Sequence, residues 1–278
     1  FHQVCISNLM MSLGKHTNTE IEEGLVRHMI LNSLRSYNAK FRDTYGEMVI
    51  ACDGYRYWRK QINPYYKANR KKDREESEID WDAVFKILNK VRDEIKEYFP
   101  YRVIHIENAE ADDIIGTMCH NFGNTNEKIL IISGDKDFKQ LQKYINVDQY
   151  DPVNSRWLKE NDPSRFLKEH IIRGDKGDGV CNFLSPTNSI VMNIRQKSIT
   201  QKKLDVWLDQ EPEEFCDAEM LRRFRENETM IDLDKIPEDV RKAITDSYES
   251  QPNKGRSKLF NYFIQHKLKH LMTDISQF

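Results

Sequence analysis

Two aspartates two residues apart, Asp135 and Asp137, stand in ILIISGDKDFKQL directly behind a run that favours a buried strand. In extended backbone, residues two apart point to the same side. A second acidic group, Glu110, Asp112 and Asp113 in ENAEADDIIGTM, sits where a helix opens, with Glu110 and Asp113 on one face. Asp53 closes EMVIACD, and RGDKGDGV adds Asp175 and Asp178. A helix amino terminus favours such charges but cannot neutralise so many. Carboxylates converging on one pocket repel by several kcal/mol unless protonated or metal-bound. Oxygen donors without His or Cys favour Mg²⁺ or Mn²⁺ over Zn²⁺. The matching chemistry is two-metal phosphodiester hydrolysis, with ions about 3.5–4 Å apart activating water and stabilising the leaving oxygen. Each acidic pair taken alone also fits a solvated loop or cap. GDKGDG alone is an ordinary turn that does not meet the EF-hand pattern.

Three of these acids fall at the ends of strands that alternate with helices. EEGLVRHMILNSLRSY repeats apolar residues at helical spacing, and Trp81, Val84, Leu88, Val91, Ile95 and Phe99 keep that phase through the next helix. EMVIACD, RVIHI, KILIIS and INVDQYD read as strands. The alternation predicts an α/β fold with a mostly parallel central sheet flanked by helices, whose ligands sit at the carboxyl ends of strands. Strand signals vanish from about Asn161, so residues 1–160 are expected to form an α/β domain and 161–278 a smaller all-α domain. In the tail, Leu259, Phe260, Phe263, Ile264, Leu268 and Leu271 are expected to form one apolar helical face.

At 278 residues the chain can bury one large core or two modest ones. With 38% apolar and 32% charged residues it reads as a soluble globular protein, without the roughly 20-residue apolar run of a membrane span. The five cysteines show no metal-ligand spacing and read as reduced cytosolic thiols. A net charge of −2 conceals an uneven distribution, because RYWRKQINPYYKANRKKDR, from Arg56, holds eight basic residues and one acid.

Taken in order, CDG after a strand, YYKANRKKDREE, EAEADD, SGDKDF and RGDKGDGV resemble the 5′-nuclease family of flap endonucleases, polymerase 5′-nuclease domains and phage 5′→3′ exonucleases. The similarity runs through almost the whole chain and is strongest to the ribonuclease H branch of T-even-type bacteriophages, in LVRHMILNSL, YWRKQINPYYKANRKKDREES and YFIQHKLKHLMTDISQF. It implies a helical arch near residues 56–78 and a helix–three-turn–helix module in the C-terminal domain. It also implies metal roles for Asp53, Glu110, Asp112, Asp113, Asp135, Asp137, Asp175 and Asp178, the last two in a second, looser site. Arg59, Lys67 and Arg70 match the arch cations that close over the cleavage point. Trp58, Tyr65 and Tyr66 among them either stack on bases or brace the arch. Gly174, Gly177 and Gly179 would let the backbone approach phosphates, with Arg195, Lys197, Lys202 and Lys203 as further phosphate contacts.

The implied enzyme uses two Mg²⁺ ions, with Mn²⁺ as substitute. It would remove RNA primers and 5′ flaps from duplex DNA or RNA–DNA hybrids during phage replication, as a monomer in the host cytoplasm with no membrane partner. A single-stranded-DNA-binding protein and a sliding clamp are the implied protein partners, through the tail from Met272 to Phe278. Two departures stand out. The family's first-strand aspartate precedes the position matching Phe1, so the chain is expected to lack that strand. The module's usual Lys-Thr pair is also replaced by CNFLSPTNSIVMNIRQKSITQKK. Two alternatives stay open: a PIN-type ribonuclease, and a structure-specific nucleic-acid-binding protein with impaired catalysis.

Overall fold

The computed structural model describes the chain apart from residues 14–21, 71–73, 75, 78 and 253, and apart from the side chains at 3, 8 and 11–13. Part of the expected arch therefore lies outside the described residues. Helices α1 (His2–Leu13) and α2 (Glu23–Tyr45) precede strand β1 (Val49–Cys52), the short helix α3 (Arg59–Ile62) and helix α4 (Trp81–Tyr98). Asp80 caps α4 by accepting from the Ala83 N–H, and Val84, Leu88, Val91 and Ile95 are buried along one stripe. Strand β2 (Arg102–His105), helix α5 (Ala111–Phe122), strand β3 (Ile129–Ile132), a 3₁₀ helix (Lys136–Lys143), and strands β4 (Val147–Asp151) and β5 (Arg156–Leu158) complete the α/β part.

The expected parallel arrangement is present: β1 lies parallel to β2, and β3 to β4. Among the described residues, however, they form two sheets rather than one. β5, not expected from the sequence, runs antiparallel to β4. Its three residues are too few to show an alternating pattern. Between the facing edges of β1 and β3 lies an apolar slot of about 300 Å³, lined by Val49–Ala51, Ile129–Ile132, Phe41 and Met118 among others.

Beyond β5, helix α6 (Pro163–Arg173) starts on an Asp162 cap with proline in its first turn and ends at Gly174. The next helix, α7 (Gln201–Leu208), follows only after an irregular stretch of turns across 174–200, so no helix comes directly behind the glycine turn. Helices α8 (Pro212–Phe215), α9 (Ala218–Ile231), α10 (Glu238–Glu249), α11 (Leu259–Gln265) and α12 (Lys269–Met272) follow.

Three cores divide the chain differently from a boundary at residue 160. α6, α7 and α9 share one core with Tyr66, Val180 and Phe183. Leu233, Ile236, Val240 and Ile244 instead join α5 and β3, while Leu259, Phe263, Leu271 and Phe278 join α2 and α4. The tail is not one helical face. Its helix breaks near Lys267, at φ +57°, and within the first segment Phe260 and Ile264 are 51% and 54% exposed while Leu259 and Phe263 are buried. No helix among the described residues is long and apolar enough to cross a membrane.

Candidate active site

Asp53 leaves the carboxyl end of β1 and accepts a hydrogen bond from the Ala111 N–H at the start of α5. Burial alone would raise its pKa, but the His2 contact at 3.3 Å and the Ala111 bond hold it well below the ordinary carboxylate range. The glycine of CDG has a steric cause. A Cβ on Gly54 would fall 2.2 Å from the Ile106 carbonyl, because residues 54–58 hydrogen-bond alongside 107–109. That pairing sets Asp53 beside the acidic group that opens α5.

There, Glu110 and Asp113 form a reciprocal capping box. Asp113 is fully buried, receiving the Trp58 indole N–H at 3.1 Å and facing Arg59 at 2.8 Å. Its expected metal role gives way to that of a buried cap. Asp112, beside it, faces Glu110, Asp135 and Asp53. Burial and these carboxylates outweigh Lys67 and push its pKa well up.

Asp135 is extended but Asp137 already lies in the 3₁₀ helix, so the two do not share one extended run. Asp135 is the N-cap of the 3₁₀ helix and accepts the Asp137 N–H at 3.1 Å, which turns Asp137 toward α6. Burial, with Asp135, Asp175 and Asp178 against His170, pushes the Asp137 carboxyl up to about 7. Asp175 is held well below its ordinary range by the His170 imidazole at 3.0 Å, against burial, with Lys136 at 2.7 Å assisting. Asp178 receives Arg70 at 2.6 Å and the Tyr66 hydroxyl at 3.0 Å.

The expected arch cations separate into two kinds. Arg59 is 2% exposed beneath the carboxylates, donating to the Met230 carbonyl at 2.8 Å and to Glu110 at 2.9 Å, so it cannot close over a substrate. Lys67 and Arg70 sit on the cleft side. Lys67 bonds Glu110 and lies 3.5 Å from Asp178. Its φ of +55° places it in a turn rather than on a helix face shared with Arg70. Trp58 and Tyr66 are 5% and 3% exposed, which leaves them bracing the site rather than stacking on bases. Tyr65 is half-buried.

The turn 174–179 packs directly on residues 65–67. Gly179, at φ +76°, lies where a Cβ would come 2.9 Å from the Tyr65 carbonyl, and the neighbouring Asp178 carbonyl accepts the Lys67 N–H at 2.8 Å. Gly174 ends α6, and Gly177 is exposed beside Asp175. Arg195, Lys197, Lys202 and Lys203 are exposed on the helical part, away from these contacts. His170 and Lys136 were not singled out from the sequence. The available signals were a basic residue between two metal-type aspartates and a histidine in the helical turn before Gly174.

Asp112, Asp137, Asp175 and Asp178 line one cavity of about 20 Å³, room for a small ion or water. Among the described residues, these eight carboxylates meet four Lys or Arg side chains: Arg59, Lys67, Arg70 and Lys136. Among the described residues, Asp137 Oδ1 and His170 Nδ1 are buried without a hydrogen-bond partner. Excess negative charge, upward-shifted acids and orphaned donor atoms together fit a divalent cation.

The family of the 5′–3′ exonuclease N-terminal, resolvase-like domain matches residues 1–171, and that of the T4 RNase H C-terminal domain matches residues 165–278. Ribonuclease H of Enterobacteria phage T4 is 34% identical, covering 100% of this chain and 94% of its own length. The flap endonuclease Xni of Shewanella sp. strain ANA-3 is 30% identical over 44% of this chain and 46% of its own. A bacteriophage T5 flap endonuclease, solved with DNA and metal ions, shares the fold at TM-score 0.58 and 18% identity, covering 87% of this chain and 96% of its own. The family match sets aside the PIN-type alternative. The chain belongs to the 5′–3′ exonuclease family and is accordingly a nuclease, a phosphodiester hydrolase.

Proposed function

We propose that this nuclease is divalent-metal-dependent and removes RNA primers and 5′ flaps from duplex DNA during phage replication, in the host-cell cytoplasm. The observation that carries the reading is the cavity shared by Asp112, Asp137, Asp175 and Asp178, reached from three separate parts of the chain. Asp53, Glu110, Asp112 and Asp135 would hold one Mg²⁺ and Asp137, Asp175 and Asp178 a second. Bound there, the ions supply water activation and charge stabilisation at the leaving oxygen.

The protein's own groups do the rest. Lys67 and Arg70, which bond Glu110 and Asp178, are placed to turn toward the negative charge of a bound phosphate. Tyr66 and Arg59 hold Glu110 in place from below. The exposed Arg195, Lys197, Lys202 and Lys203 would grip duplex backbone without reading bases. Contacts of the tail with a single-stranded-DNA-binding protein and a sliding clamp belong to the same reading, as does action as a monomer.

The test is cleavage of a labelled 5′-flap duplex and of an RNA–DNA hybrid, in Mg²⁺ and in EDTA, beside a chain that also carries the upstream strand. Metal-dependent release of short 5′ products supports the proposal. Duplex binding without cleavage by either chain would replace it with the impaired-catalysis alternative.

A further inference from the structure

His170 is a feature of the acid cluster that an all-oxygen site does not explain. It lies in the last turn of α6 and is 6% exposed, so both ring nitrogens need partners within the protein. Nε2 lies 3.0 Å from Asp175 Oδ2. That carboxylate, also held by Lys136, is a strong acceptor and fixes the tautomer with the proton on Nε2. Nδ1 then presents a lone pair. It faces Asp137 Oδ1 at 3.5 Å, and neither atom has a hydrogen-bond partner among the described residues.

Two buried acceptors face to face repel each other unless a cation lies between or beside them. The spacing discriminates between the candidates. A proton shared between nitrogen and a carboxylate draws them to about 2.7–2.9 Å. Two ligands on one small divalent ion, each about 2.0–2.2 Å from it at near-octahedral or tetrahedral angles, lie roughly 3.0–3.5 Å apart. Asp137 and His170 already stand at that separation. The arrangement also has the second shell of a metal-binding histidine, whose remote N–H is held by a carboxylate.

We propose that His170 is a nitrogen ligand, and that Nδ1 together with Asp137 forms a mixed nitrogen–oxygen site for a borderline divalent ion such as Mn²⁺, Co²⁺ or Zn²⁺. The inference rests on reading the acid cluster as a metal centre and adds to it a selectivity. Imidazole raises affinity along the transition series and does little for Mg²⁺. Asp175, besides its place in the proposed second site, orients His170.

Electron spin-echo envelope modulation of Mn²⁺ bound to the chain tests this without reference to activity. Wild type should show ¹⁴N modulation from a directly bound nitrogen, changed to the ¹⁵N pattern when only the histidines are ¹⁵N-labelled. His170→Gln should lose it and bind Mn²⁺ at least about tenfold more weakly, with Mg²⁺ affinity shifted far less. Bound Mn²⁺ without nitrogen modulation in wild type would overturn the inference while leaving the metal centre standing. So would modulation that survives in His170→Gln, since it would then belong to His2 beside Asp53. No bound Mn²⁺ at all would overturn the metal-centre reading, and this inference with it.

Discussion

Replacing Arg59 by glutamine separates a buried counter-ion from an arch cation. Its guanidinium is 3% exposed and contacts Glu110 at 2.9 Å, Asp113 at 2.8 Å and the Met230 carbonyl at 2.8 Å. Glu110 and Asp113 are 1% and 0% exposed, so neither can turn to water when the cation is removed. Breaking one partner out of a buried pair costs about 3–5 kcal/mol. Glu110 keeps Lys67 and Tyr66, and Asp113 keeps Trp58, which argues for the lower part of that range. The orphaned Met230 carbonyl adds about 1 kcal/mol. A loss near 4 kcal/mol is a large fraction of the roughly 5–15 kcal/mol that holds a domain together. At about 2–4 °C per kcal/mol, Tm should fall by about 8–16 °C. Urea unfolding in EDTA reads the stability, and single-turnover cleavage at low temperature reads the chemistry. Arg59→Lys should recover less than half the loss, because a single ammonium cannot span three acceptors. An unchanged urea midpoint with strongly slowed cleavage would refute the reasoning and restore Arg59 as a substrate-facing cation.

Four further outcomes are expected. Asp112→Asn should raise Tm in EDTA while abolishing cleavage, since it removes a carboxylate whose ionised form burial disfavours; a lower Tm would contradict this. Lys67→Ala should slow single-turnover cleavage by about 10²–10³-fold with a much smaller change in substrate Kd, and equal effects on both would make it a binding residue only. Gly54→Ala should lose stability and activity together, because its Cβ would lie 2.2 Å from the Ile106 carbonyl; near-wild-type activity would contradict the close approach. Glu94, bonded by Arg27 and by the Tyr262 hydroxyl, has its pKa lowered, since these bonds outweigh burial. A depressed acid contributes stability above its unfolded pKa of about 4.3 and loses it as pH falls through the folded value. Glu94→Gln should therefore flatten the acid limb of a Tm–pH curve below about pH 5, and an unaltered limb would remove Glu94 from that role.

Much of this protein is written locally. Strands β1 to β3 follow from short apolar runs, α4 from a stripe at helical spacing, and the placement of Asp53, Asp135 and Asp175 from turn and cap residues beside them. Those features depend on neighbours within a few positions, and the sequence alone determined them, along with the ordered motifs that mark the family. Which charges face the cleft was decided only by the fold. Arg59 and Lys67 look alike in a basic stretch, yet one is sealed under Glu110 and Asp113 while the other reaches the cleft side. Asp113 differs from Asp112 by a single helical step, which turns one into the core and the other toward the cavity. His170 gains its meaning from Asp137, 33 positions away and brought close by the packing of α6 against the 3₁₀ helix. Burial and long-range pairing set the energy of a charge, and neither is a property of its own stretch of sequence.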